Sequence, residues 1–390
     1  MWGCDKALKV LCALLMMVVV CASANASQVF NDLSNEMTIN EIINGHGQFE
    51  NIEQDGAVAS KAVSTWVKFD IPAEPKAIRE SFFTIYKPVE TALDMYVVEL
   101  GQVIAAVNLP TDNAVLPRLQ SIYPHIKYKT SAFPQQVYVR FQAPFNARIN
   151  YQVQSTHDFA EHSQARLFWY GLELGLLYFV AFFILSVAVF SSRHYLLYLG
   201  TYLLLLALQC SANNGSIYYY LPKKAAQWFT HHCSMLVVVG LAACLLFHFT
   251  FFKISKNAKQ LTYPTLILAG LLIFMGLLSI GIGSPIAVQV QALSVLTTIG
   301  LGIAMYAQLG KEHVTEVRVL LFAWLPMFVL AFTWVSMQLG IFVNSALVNM
   351  SQIAVISHVS LLGLVIYLRD KQQRDAFVFY TNHDKDTGLP

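Results

Sequence analysis

Four side chains in the first half of the chain have the types that recognise small polar molecules: Trp66, Tyr96, Tyr138 and Arg140. An aromatic face suits a sugar ring, and a guanidinium fork suits a carboxylate. Aromatic residues in strands more often fill a core, so their types alone do not separate the two roles. His46, between Gly45 and Gly47, is accounted for by a turn. Farther along, in strongly apolar surroundings, Glu173, His248 and His358 are ionisable, while Gln209, Gln289 and Gln291 are neutral. Ionisable groups inside a bilayer are functional candidates as a class. Here Glu173 and His248 fall near the ends of their apolar runs, within reach of water. Only His358 is central, where a neutral histidine can bond a neighbouring helix, and a structural role is the expectation for the set. His231 and His232 are adjacent, point to different faces of a helix and make a poor metal pair. There is no Cys-x-x-Cys spacing. No metal site, cofactor or catalytic residue is expected in this chain.

The elements that must hold these residues follow from composition. The 390 residues are 56% hydrophobic and only 12% charged, about half the ~25% charged share of soluble proteins. Mean hydropathy is +0.51, which excludes an ordinary soluble globule. A net charge of +2 argues against a nucleic-acid partner. Seven apolar runs, at 167–191, 195–214, 229–252, 263–283, 285–310, 319–342 and 345–368, are each long enough to cross a hydrocarbon core of about 30 Å as a helix. Basic residues alternate between the connections. Arg193, then Lys253, Lys256 and Lys259, then Lys311 and Arg318, then Arg369, Lys371 and Arg374 fall on one side; Lys223 and Lys224 fall on the other. The positive-inside rule puts the first group in the cytoplasm. Pro326 is expected to kink the sixth run.

The N-terminus agrees with that orientation. Lys6 and Lys9 precede the apolar run Val10–Val20, and Ala24-Asn25-Ala26 fits a cleavage site. Residues 1–26 read as a signal peptide and 27–160 as an exported domain. No cysteine lies between Ser27 and Arg166, so that domain must be held by a packed core. Val63, Thr65, Val67, Phe69 and Ile71 alternate against Trp66 and Lys68, as in a strand with one buried face. Ser81–Tyr86, Leu93–Leu100 and Val137–Phe141 are further strands, and Ala147–Val153 is placed beside the last. Short strands at this spacing suggest an all-β sandwich. A transporter would show more midplane charge or a broken helix pair. A retinal protein would need a lysine in the last run, and 345–368 has none.

Three stretches carry a family resemblance: Tyr170-Gly171-Leu172-Glu173, Arg193-His194-Tyr195-Leu196-Leu197-Tyr198 and Asn214-Gly215-Ser216-Ile217-Tyr218-Tyr219-Tyr220-Leu221-Pro222. In this order the chain resembles bacterial seven-helix receptors with diverse intracellular signalling modules. Their type-two extracellular domain is a jelly-roll-like sandwich related to carbohydrate-binding modules, and Ser64–Phe69 and Gln136–Phe141 look like two of its strands. The resemblance covers residues 40 to 370. It implies detection of a periplasmic small molecule, carbohydrate-like in class, by a multi-pass protein of a bacterial inner membrane.

Past Leu368 the composition turns polar, and 369–382 reads as the seventh helix continuing as a cytoplasmic signalling helix. The final string, with His383, Asp384, Thr387, Gly388, Leu389 and Pro390, resembles the start of a GGDEF domain; Asp386 departs where leucine is usual. GGDEF domains join two GTP molecules into cyclic di-GMP using Mg, as face-to-face pairs. The resemblance therefore implies a homodimer and a diguanylate cyclase output in a longer protein, with Mg and GTP bound only by a complete domain. The expected fold is an exported jelly-roll-like β-sandwich (27–160), a seven-helix transmembrane bundle (167–368) and a signalling helix (369–382), with 383–390 opening an output domain. Two other readings stay open: a membrane transport or ion-handling protein with an exported accessory domain, and a stand-alone receptor that acts through a separate signalling partner.

Overall fold

The structure, a computed structural model, describes residues 28–32, 36–51, 57–60, 64–73, 79–85, 92–109, 124–142, 145–148, 151–191, 193–281, 284–309, 314–338 and 345–382. The expected signal peptide (1–26), Lys311 and the string His383–Pro390 lie outside the described residues. The chain divides into two compact units. One comprises residues 1–172, 210–231 and 333–348; the other comprises 173–209, 232–332 and 349–390.

The first unit is built on strands. These are β1 (Gln28–Asp32), β2 (Glu50–Asn51), β3 (Ala57–Ser60), β4 (Ser64–Ile71), β5 (Glu80–Ile85), β6 (Ala92–Glu99), β7 (Gln102–Leu109), β8 (His125–Lys129), β9 (Gln135–Gln142), β10 (Phe145–Arg148) and β11 (Tyr151–Ser155), with a short helix α1 (Ile39–Ile43) after β1. A six-stranded sheet has the order β2-β1-β4-β9-β6-β7, and a three-stranded sheet has the order β11-β5-β8. Alternation explains how they pack. Val67, Phe69 and Ile71 of β4, Leu93, Met95 and Val97 of β6 and Val137, Val139 and Phe141 of β9 share one face. They meet Phe83, Ile85, Ile126 and Tyr128 of the smaller sheet in one buried cluster. Burying each such side chain is worth about 1.5–3 kcal/mol, which stands in for the missing disulfides. β6 and β7 are joined by Leu100 and Gly101, both at positive φ, 49° and 78°. A two-residue hairpin loop of that kind matches the twist of its strands.

Pairing at the end of the unit differs from the sequence expectation. Ala147–Val153 is not one strand beside β9. β10 pairs with β3, and β11 pairs with β5. One alternating stretch can pair with any strand that presents a complementary edge, so its partner is a tertiary choice.

β11 continues directly into α2 (Thr156–Phe190), which begins eleven residues before the expected 167 and places the expected boundary at 160 inside a helix. Residues 156–166 are too polar to read as membrane, but they are helical because they are capped and docked. Ser155 Oγ accepts from the Asp158 N–H at 3.2 Å and donates to its carboxylate at 2.7 Å, a reciprocal cap. Thr156 Oγ1 donates to the Glu80 carbonyl at 3.2 Å. Phe159 stacks on Phe82 with ring centroids 4.1 Å apart and planes within 6°.

The remaining helices are α3 (His194–Asn213), α4 (Ile217–Tyr220), α5 (Lys223–His231), α6 (Cys233–Phe251), α7 (Ile254–Asn257), α8 (Thr262–Leu278), α9 (Ser284–Leu309), α10 (Val314–Gln338) and α11 (Ser345–Asn382). The expected run 229–252 is thus two helices, broken at His232. Among the described residues, six helices are long and apolar enough to cross a membrane, in α2, α3, α6, α8, α9 and α11. α10, of 25 residues, continues through Pro326. In the second unit backbones approach closely where glycine leaves room. A Cβ on Gly200 of α3 would stand 2.6 Å from the Leu185 side chain of α2 and 3.2 Å from its backbone nitrogen. Membrane helices pack through such small residues.

Candidate functional site

Three groups of residues stand out, and each is assembled by tertiary structure. The first lies on the six-stranded sheet, on the face opposite its main core. Register places Phe30, Trp66, Arg140, Asp94 and Asn108 in one row across β1, β4, β9, β6 and β7. Lys68, Tyr138 and Tyr96 form the neighbouring row. Trp66 and Tyr96 stack at 6.0 Å. The Arg140 guanidinium carbon sits 5.3 Å above the Trp66 ring, and its Nη1 is 3.9 Å from the Asp94 carboxylate. The sequence candidates Trp66, Tyr96, Tyr138 and Arg140 therefore do come together.

They are not equally accessible. Trp66 is fully buried (0% exposed) in a second apolar cluster with Ile42 of α1, Val98 and Tyr138, and Tyr96 and Arg140 are only partly covered. Burial pushes the Tyr96 phenol above its usual range, with the Asp94 charge adding to the effect and Arg140 opposing it. Trp66 is the floor of this face, and its indole N–H has no hydrogen-bond partner among the described residues. Trp66→Ala in residues 27–163 expressed in the periplasm is expected to cost about 3–5 kcal/mol, as for other large-to-small core changes. Urea unfolding followed by circular dichroism measures it. Loss of sugar binding at unchanged stability would make Trp66 a ligand platform instead.

The second group lies in the second unit. His248 of α6 hydrogen-bonds the Cys244 carbonyl through Nδ1 at 2.7 Å. A carbonyl only accepts, so Nδ1 carries the proton and Nε2 is the acceptor. Tyr306 of α9 donates to Nε2 at 2.8 Å, and Trp324 of α10 points its N–H at the same atom at 3.3 Å. One lone pair thus faces two donors, and the shorter contact is the tyrosine's. His358 of α11 repeats the pattern. Its Nδ1 donates to the Ala323 carbonyl of α10 at 2.8 Å, and its Nε2 accepts from Tyr202 of α3 at 3.0 Å. Ala323 lies three residues before Pro326 in α10. Trp324 joins the two histidines, 4.5 Å from the His358 ring and 5.8 Å from the His248 ring.

Five helices are therefore tied through one hydrogen-bonded network. The sequence singled out His248 and His358 but not Tyr202, Tyr306 or Trp324. Aromatic residues in apolar runs carry no signal of their own, and only the contact reveals them. Glu173 is buried as well. No group of three or more His, Cys, Asp or Glu side chains able to hold a metal occurs among the described residues.

The third group sits where α11 leaves the bundle. Arg193, between α2 and α3, is ion-paired with Asp370, and this contact holds the guanidinium above its ordinary range. Tyr195 packs edge-on against Phe251 at 5.4 Å, and the Arg369 guanidinium lies 4.2 Å above the same Phe251 ring. Two consecutive residues of α11 are thus gripped by the α2–α3 connection and by the last turn of α6.

A family model described as 7TM diverse intracellular signalling matches residues 166–369, just over half of the chain. No curated protein matches the chain.

Proposed function

Because the chain belongs to the family of seven-transmembrane receptor domains with diverse intracellular signalling, we propose that it is a sensory receptor of a bacterial inner membrane, with its β unit in the periplasm and its C-terminus in the cytoplasm. The observation that carries this reading is the direct run of β11 into α2, capped by Ser155 and docked by Phe159 on Phe82. A strand that becomes a helix with no intervening linker hands a displacement of the small sheet to the helix without losing it in a loop. The sheet face with Tyr96 and Arg140 at its surface and Trp66 beneath is the ligand site of this reading, and the ligand is a small molecule of carbohydrate-like class. The transmembrane segment has seven spans, α10 included, and the periplasmic unit is a jelly-roll-like sandwich.

On the cytoplasmic side, 369–382 acts as the signalling helix, and His383–Pro390 opens a GGDEF domain of a longer protein. The output is synthesis of cyclic di-GMP from GTP with Mg, in a homodimer. A transport role is disfavoured because both ring nitrogens of His248 and of His358 are committed to hydrogen bonds inside the bundle. Neither of these two histidines, then, offers a free ring nitrogen to an ion or proton path.

Topology tests the reading. A reporter enzyme active only in the periplasm should give no activity when fused after Asp375 and full activity when fused near Lys223. The reverse pattern would remove both the orientation and the count of seven spans.

A further inference from the structure

The connection from α6 to α8 is an elbow, Phe252–Leu261, made of α7 and one 3-10 turn (Lys259–Leu261). Its underside is apolar and buried, with Phe252, Ile254, Ala258 and Leu261. Lys253, Lys256 and Lys259 alternate with these buried residues and are all exposed. None of the three has an acidic partner among the described residues.

The backbone adds a second observation. Lys253 is left-handed, at φ 50° and ψ 50°, in the position just past a helix where glycine or asparagine is the usual occupant. The surroundings hold it there. The Asn257 amide donates to the Phe252 carbonyl at 2.8 Å, and the Lys256 N–H donates to the Lys253 carbonyl at 2.8 Å. Glycine would take this conformation without strain, and here the position carries a cationic side chain instead. Beyond the elbow, Tyr263 is exposed at the start of α8, followed by exposed Leu266, Ile267, Leu271 and Phe274. A cationic edge above an aromatic residue and an apolar helix face complements a molecule with an anionic head and hydrocarbon tails.

We propose that this elbow docks anionic phospholipids, with Lys253, Lys256 and Lys259 on the headgroup phosphates and the exposed face of α8 along the acyl chains. The turn that leads into the elbow also presents Phe251 to Arg369 at the root of α11.

The test uses the full chain in neutral detergent, with thermal unfolding followed as lipid is added. Phosphatidylglycerol should raise the midpoint, whereas phosphatidylcholine and inorganic phosphate should not. K253Q/K256Q/K259Q should weaken the phosphatidylglycerol response about 100-fold in concentration, at roughly fivefold per lysine. The surface pair K256Q/K259Q should weaken it about 25-fold if the triple variant does not fold. Lys253→Gly separates structure from binding. Without lipid its midpoint should equal or exceed the parent's, yet it should need about five times more phosphatidylglycerol. An unchanged response in the lysine variants, or an equal response to inorganic phosphate, overturns the proposal.

Discussion

Inserting two residues within Gln372–Arg374 should change cyclic di-GMP synthesis by about tenfold or more in a chain joined in register to a complete GGDEF domain, whereas inserting seven should change it little. α11 is one unbroken helix of 38 residues, Ser345–Asn382. At about 1.5 Å per residue it outruns a hydrocarbon core of about 30 Å and carries the end of the bundle on into the polar stretch past Leu368. Two added residues rotate everything beyond them by about 200°, and seven rotate it by about 700°, within ~20° of two full turns. A reaction that needs two substrate-loaded domains face to face is sensitive to such a rotation, since misorientation forfeits most of the advantage of proximity. Arg193 on Asp370 and Arg369 over Phe251 fix the phase of the helix before the insertion point. The measurement is cyclic di-GMP accumulation in cells expressing equal amounts of each variant. Equal effects of the two insertions would mean that the segment is a flexible tether.

Trp324→Ala should be the most destabilising single change in the helical unit, at about 3–5 kcal/mol. Trp324 contacts both histidine rings and stacks on Phe328 at 6.0 Å. Its removal opens a cavity and strips a donor from His248 at once. By contrast, Tyr202→Phe removes one hydrogen bond without a cavity. Hydrogen bonds between membrane helices average only about 0.6 kcal/mol and reach about 1.7. The Tyr202→Phe and His358→Leu cycle should therefore give a coupling of that size, well below the tryptophan effect. Unfolding in mixed detergent micelles provides all four values. If Tyr202→Phe costs more than Trp324→Ala, polar bonds and not packing hold the five helices together.

Much of the architecture was legible because its causes are local. Period-two alternation in Val67, Phe69 and Ile71 against Trp66 and Lys68 assigns faces within one strand, whatever that strand pairs with. An apolar run of twenty residues can satisfy its backbone in a membrane only as a helix, so the long helices and the unusual Pro326 were readable at once. The same reasoning set the start of α2 too late. Its first turns are polar, and they are helical because of Ser155, the Glu80 carbonyl and Phe82, a cap and two contacts that hydropathy does not register.

Sequence by itself determined the strands β4, β5, β6 and β9 and the long apolar helices, that a receptor-like bundle follows a β unit, and that Trp66, Tyr96, Arg140, His248 and His358 have side chains worth placing. Tertiary structure alone decided what they form. β9 inserts between β4 and β6, and only that order brings Arg140 between Trp66 and Asp94. Hydrogen-bond register between strands some seventy residues apart is a long-range choice that no window of sequence contains. His248 and His358 looked separate because each was judged by its depth in its own run. They share one network because Trp324, an unremarked aromatic on a third helix, stands between them. Lys253 read as one cation among several in a loop. Its left-handed backbone belongs to the way α6 ends over buried Ile254 and Leu261, and that ending exists only once the helices have packed.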